Sequence, residues 1–200
     1  MTLSIAPLPL FTFKQKLVLM KNGIFNWTIP TYTTGDELIQ LYVLSSNLPQ
    51  NSLCVEIGSY LGASTLMIAK GLKNSSKLIC IDTWKNDAMS EGNWDSFNLF
   101  KKNTLSVKNK LELIRSSSIK AVNYLIEDEI DFLFIDGDHS YDAVKSDFDI
   151  WFPKLKGGGL IIMHDCGWAE GVIRVINQDI LPNVMKSKTH SNIFWGWKKL

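Results

Sequence analysis

The sequence predicts an α/β fold: a doubly wound, mostly parallel, Rossmann-like seven-stranded sheet with an antiparallel hairpin at one edge. From residue 34 onward, short apolar runs alternate with segments whose apolar residues recur at helical spacing. That alternation is the pattern of parallel strands joined by helices, with both sheet faces covered. The last two strand candidates have no helix between them, which makes them a hairpin.

The elements follow in order. "TGDELIQLYVLSSN" opens with a capping box, Thr34 to Glu37, ahead of a helical apolar pattern. Strands are predicted at 53–57 ("LCVEI"), 77–81 ("KLICI"), 111–115 ("LELIR"), 131–135 ("DFLFI") and 159–163 ("GLIIM"). Helices are predicted at 64–72, 119–126, 141–152 and 171–180, and the hairpin at 183–187 and 192–198. Residues 84–103, rich in aromatics, are expected to form a lid that walls off a pocket together with Trp168 and "FNWTIPTY". Residues 1–33 are an N-terminal extension, expected to act as a lid or as the contact of a homodimer.

Composition removes several partners. The formal net charge is +1, with 46% hydrophobic and 20% charged residues. That balance gives no electrostatic reason to expect nucleic acid or an anionic membrane. No apolar run reaches the roughly 18–20 residues that span a bilayer, so no stable membrane insertion is expected. Cys54, Cys80 and Cys166 lie in or beside apolar runs without CxxC spacing. They read as core residues of a cytoplasmic protein.

The chemistry gathers at the carboxyl ends of the strands, where open parallel sheets bind ligands. "VEIGSYLGAST" turns from the first strand into its helix, with Gly58 and Gly62 giving the backbone room to approach a ligand. Their spacing is not the GxGxxG of a dinucleotide cradle. Asp82 ends the second strand, where a carboxylate can accept both hydroxyls of a ribose. "FIDGDHSYD" sets Asp136, Asp138 and His139 at the end of the fourth strand, and His164 and Asp165 follow the fifth.

"CVEIGSYLGASTLMIA" closely resembles the first motif of class I S-adenosylmethionine-dependent methyltransferases. Within them the chain is similar to the small metal-dependent O-methyltransferases, of the catechol and caffeoyl-CoA type and the macrolide-sugar relatives. The resemblance covers residues 34–200, which it makes the methyltransferase domain. It implies that Glu56, Gly58, Tyr60, Gly62 and Ser64 surround the methionine part of S-adenosylmethionine and that Asp82 holds the ribose. "IRSSS" makes Ser117 and Ser118 candidates for the adenine, and "DTWKND" places Trp84 beside the adenine or over the site. Asp136 then lies at the junction of cofactor and metal.

The resemblance further implies a divalent metal ion on Asp136, His164 and Asp165, magnesium or manganese being the leading choices. His164–Asp165 departs from the usual Asp–Asn or Glu–Asp pair, and an alignment on Asp165–Cys166 is the alternative. An imidazole ligand shifts the preference away from calcium and magnesium. His139 stands where the catechol type carries a lysine base and is the candidate general base, with Asp138 orienting it or reaching the metal. Capping of the next helix is the competing role for both. His190 reads as solvated or structural. The expected partner is a small-molecule hydroxyl acceptor, a sugar, glycoside or phenol. The other readings are a cofactor-binding protein without catalysis and a metal-independent methyltransferase.

Overall fold

Successive residues of each central strand alternate between two apolar layers, which explains why the strands read as unbroken apolar runs. Cys54, Leu78, Cys80, Phe132 and Phe134 enter one layer; Val55, Ile57, Ile79, Leu133 and Ile135 enter the other. The computed structural model describes residues 6–86, 92, 94–124 and 130–200. Its strands are β1 (Leu53–Ile57), β2 (Lys77–Asp82), β3 (Leu111–Arg115), β4 (Ile130–Ile135), β5 (Leu155–Met163), β6 (Val184–His190) and β7 (Ile193–Lys198). They form one seven-stranded sheet in the order β3-β2-β1-β4-β5-β7-β6. The first five pair in parallel, and β7 runs antiparallel between β5 and β6.

The helices are α1 (Phe13–Lys21), α2 (Gly35–Ser46), α3 (Ala63–Gly71), α4 (Phe97–Asn103), α5 (Ser118–Ala121), α6 (Tyr141–Trp151) and α7 (Glu170–Val175). Leu38 and Leu41 of α2 and Met67 and Ile68 of α3 cover one sheet face. Val144 and Phe148 of α6 and Val172 and Val175 of α7 cover the other. The Thr34–Glu37 capping box is present, with the Thr34 N–H donating to Glu37 Oε2 at 2.7 Å.

Several boundaries differ from the sequence reading. The helix expected at 119–126 is the single turn α5 followed by a 3₁₀ turn at Val122–Tyr124, and 125–126 lie outside the described residues. The 171–180 helix leaves α geometry after Val175 and continues as a π turn, Ile176–Ile180. Strand β5 starts four residues early, because Leu155 pairs with Ile130 across a register shift.

Residues 6–33 fold onto the domain. Thr12 caps α1, the Thr31 N–H donates to the Pro7 carbonyl at 2.9 Å, and Phe11 packs on Trp27. Within the order β2-β1-β4, β1 and β4 send their chains to opposite sides. Their carboxyl ends therefore frame the crevice where such sheets bind ligands.

Candidate active site

Leaving β1, the chain turns within the width of a strand. Gly58 has φ +85°, and a Cβ there would lie 2.0 Å from the Asp136 carbonyl oxygen. Glycine thus lets the tip of β1 rest against the tip of β4. Tyr60 takes φ +43°, a costly conformation for a bulky residue. The turn is held from below by Asp82: Oδ2 accepts the Ser59 and Tyr60 N–H groups at 2.8 Å each, and Oδ1 accepts the Trp84 N–H at 2.6 Å. Beyond the ribose role expected of it, Asp82 builds the loop.

Glu56, one residue before the end of β1, is 0% exposed. Its Oε2 accepts the Ser59 and Thr65 hydroxyls, whereas Oε1 has no hydrogen-bond partner among the described residues. Burial pushes its carboxyl up to about 7, against the hydroxyl donors that favour the anion. A carboxyl raised on folding contributes most below its unfolded value of about 4.5, and that contribution is lost as pH rises through about 7. Glu56→Gln, which carries no charge to bury, is therefore expected to melt higher than wild type at pH 8, by up to about 3 kcal/mol. At pH 5 the two proteins should melt alike. Calorimetry at both values checks this.

The ends of β4 and β5 bring together the ionisable groups. Asp165 has φ +59°, which turns its carboxylate back over the rim. Oδ1 accepts the Trp168 indole N–H at 2.8 Å and the Asn192 amide at 2.7 Å; Oδ2 stands 2.7 Å from His139 Nε2. Burial raises the Asp165 carboxyl, but the hydrogen bond from His139 and the nearby His164 ring outweigh it and hold it well below the carboxylate range. The Asp165 hydrogen bond in turn raises His139 above its ordinary value, more than its partial burial lowers it. Trp168 meets the His139 ring edge-on at 5.0 Å.

His164 is 4% exposed and sits among three carboxylates. Its Nδ1 lies 3.1 Å from Asp136 Oδ1 and 3.2 Å from Asp165 Oδ2, and its Nε2 lies 3.4 Å from Glu37 Oε2. Nδ1 is nevertheless a buried nitrogen without a hydrogen bond of good geometry. Asp136, His139 and Asp165 each offer a ligand atom, all within 4.8 Å of one another. A buried imidazole nitrogen facing two carboxylates is a donor set that fits a divalent transition ion. The structure thus offers His139 as a metal donor beside the expected Asp136 and Asp165, while His164 faces the same two carboxylates.

A cavity of about 500 Å³ joins these groups to the glycine turn. It is lined by Gly58, Tyr60, Ser64, Asp82, Ser117 and Ser118, and also by Asp136, Asp138, His139, His164 and Asp165. Trp84 was expected beside the adenine or over the site. Fully buried, it packs on Phe97 and Phe100 and does not line the cavity. Gly62 lies just behind the wall, its φ of +88° starting α3 where a Cβ would meet Thr104. Asp165 is the carboxylate that meets His139, at 2.7 Å. Asp138 accepts the Ser140 N–H at 2.6 Å, and its own carboxyl is lowered mainly by that bond.

Of the expected lid, residues 87–91 and 93 lie outside the described residues, and Asn86 lines the cavity. Thr31, Tyr32 and Thr33 line it too, with Tyr32 stacked on Tyr60. Sequence reasoning missed Glu37, Asn192 and Asp147. Asp147 is a buried wall carboxylate bonded to Ser118. Burial pushes it up to about 6. Glu37 was legible only as a helix cap.

Residues 55–166 match the family model described as a methyltransferase domain. A mimivirus protein, uncharacterized protein R132 of Acanthamoeba polyphaga mimivirus, is 30% identical over 133 residues, covering 62% of this chain and 57% of its own. The chain spans only 13% and 57% of the lengths of the curated relatives it matches. Among solved structures, an O-methyltransferase from Bacillus cereus in complex with SAH superimposes with a TM-score of 0.64 at 17% identity, over 94% of this chain and 92% of that one. CalS11, a TDP-rhamnose 3'-O-methyltransferase of calicheamicin biosynthesis, gives 0.60 at 14%, over 92% and 93%. The matched residues run from within β1 to just beyond β5, the span that supplies most of the cavity wall and the rim. With that match and the class I methyltransferase fold, the chain belongs to the methyltransferase domain family.

Proposed function

We propose that the chain transfers a methyl group from S-adenosylmethionine to a hydroxyl oxygen of a small molecule, a sugar, glycoside or phenol. One observation carries the reading. A single cavity is walled at once by the glycine turn with Asp82 and by the proton-handling rim of Asp136, His139 and Asp165. The structural neighbours include an O-methyltransferase and a TDP-rhamnose 3'-O-methyltransferase, which supports oxygen as the acceptor.

When bound, S-adenosylmethionine supplies a methyl on a sulfonium, and a divalent cation makes a coordinated hydroxyl more acidic. Asp136 and Asp165, with His164 or His139, would hold such a cation. The chain's own work is positioning and proton transfer. Asp82 holds the turn against which the cofactor would lie, and Thr31–Thr33 narrow the cavity beside Tyr60. Holding two reactants in line is worth roughly 7–11 kcal/mol of barrier. Asp165 takes the Nε2–H of His139, which leaves the Nδ1 lone pair to accept the acceptor's proton. The resulting imidazolium is stabilised by the same carboxylate.

S-adenosylmethionine or S-adenosylhomocysteine should raise the melting temperature and NAD should not. A hundredfold excess over Kd stabilises by about 2.7 kcal/mol. Turnover with labelled cofactor across sugars, glycosides and catechols should then identify the acceptor, and chelator should stop turnover while the thermal response to cofactor persists. Selective stabilisation by NAD would overturn the cofactor assignment. Full turnover in chelator would leave the methyl transfer but return Asp136 and Asp165 to acid–base or structural roles.

A further inference from the structure

A glutamate at the third position of a capped helix ordinarily serves that helix and faces water. Glu37 does more. It is 1% exposed, and beside its own cap its carboxylate meets groups from two distant parts of the chain. Oε2 accepts the Thr34 N–H at 2.7 Å and lies 3.4 Å from His164 Nε2; Oε1 accepts the Ser191 hydroxyl at 2.9 Å and the Asn192 N–H at 3.0 Å. Both Glu37 and Asn192 lie outside the residues that match the family model.

The geometry points to Glu37 as a positioning residue that orients both His164 and Asp165 on the rim. It rests on the metal-holding reading above. An ionised carboxylate accepts hydrogen bonds and gives none. Facing Nε2, it keeps the proton there and presents Nδ1 to Asp136 and Asp165, at 3.1 and 3.2 Å. A carboxylate behind a histidine fixes the tautomer and ring orientation of a metal ligand in the same way. The second oxygen reaches Asp165 through the β6–β7 turn. It pins Asn192, whose side chain donates to Asp165 Oδ1 at 2.7 Å and accepts the Gly167 N–H at 2.7 Å. Thus one side chain of α2 ties the ends of β5 and the β6–β7 hairpin to the start of the domain. Mere capping requires only Thr34, and leaves the bonds to His164, Ser191 and Asn192 without a purpose.

The test compares Glu37→Gln with Thr34→Ala, which removes the cap alone, and uses Mn²⁺ as the probe. Binding is read by electron paramagnetic resonance, cofactor binding by calorimetry, and the His164 Nε2–H by ¹H–¹⁵N NMR of the metal-free protein. Thr34→Ala is expected to melt earlier and keep wild-type Mn²⁺ affinity. Glu37→Gln is expected to lose about 10–100-fold in Mn²⁺ affinity, the usual cost of losing such a support, with cofactor affinity unchanged. Its Nε2–H signal should move or vanish, while that of wild type is protected from exchange. If both variants only melt earlier, with Mn²⁺ affinity and the NMR signal unmoved, Glu37 is a cap and the proposal falls. A wild-type protein without a protected Nε2–H overturns it directly, even should Glu37→Gln fail to fold. Absence of Mn²⁺ binding in wild type overturns the metal reading instead, and the NMR comparison then still decides the orienting role.

Discussion

His139→Ala is expected to lower turnover about 10²–10⁴-fold, the usual contribution of a positioned acid–base group. Cofactor affinity should stay at the wild-type value, because no part of the glycine turn or Asp82 contacts depends on this ring. The wild-type rate should rise with pH, since only neutral imidazole accepts a proton. Its midpoint should lie above the ordinary histidine value of 6.5, because the Asp165 hydrogen bond favours the charged ring more than burial opposes it. Asp165→Asn should move that midpoint down. Mn²⁺ affinity separates the two roles the rim offers His139: unchanged in His139→Ala for a base, lost together with turnover for a ligand. An alanine variant that turns over normally would pass deprotonation to Asp136 or Asp138.

Gly58→Ala is expected to be the most damaging single methyl in the molecule. The added carbon would stand 2.0 Å from the Asp136 oxygen and 2.5 Å from its carbonyl carbon, both backbone atoms of a neighbouring strand end. Relief requires prising β1 from β4 where Asp136 N–H donates to the Ile57 carbonyl at 2.8 Å. A loss of at least about 3 kcal/mol follows, placing this change among the severe core substitutions. For a chain of this size that is roughly 6–12 °C in Tm. Gly158 is the matched control: its φ of +79° strains an alanine equally, but no atom lies within 4 Å. Gly158→Ala should cost only about 1 kcal/mol. Equal losses for the two would mean that strain, not contact between β1 and β4, sets the cost.

The sequence by itself determined much of this protein. Runs such as "LCVEI" and "DFLFI" are apolar on both alternating faces, and only strands covered on both sides bury them, so the parallel sheet was legible. Glycines at 58 and 62 and ionisable residues ending the strands marked the functional rim, because those positions follow from the register of the sheet. Local patterns carry local information, and they could not reveal what a side chain meets across the fold. Glu37 looked like a cap because its capping partner is three residues away, whereas His164 is 127 residues away. Trp84 looked like part of a binding site, yet apolar burial packs it in the core against Phe97 and Phe100. Asp138 was the expected partner of His139 and Asp165 only a metal ligand, yet the left-handed turn at Asp165 brings its carboxylate to 2.7 Å from the ring. Tertiary structure decided these because each depends on distances between elements, which are set by packing and not by the spacing of residues along the chain.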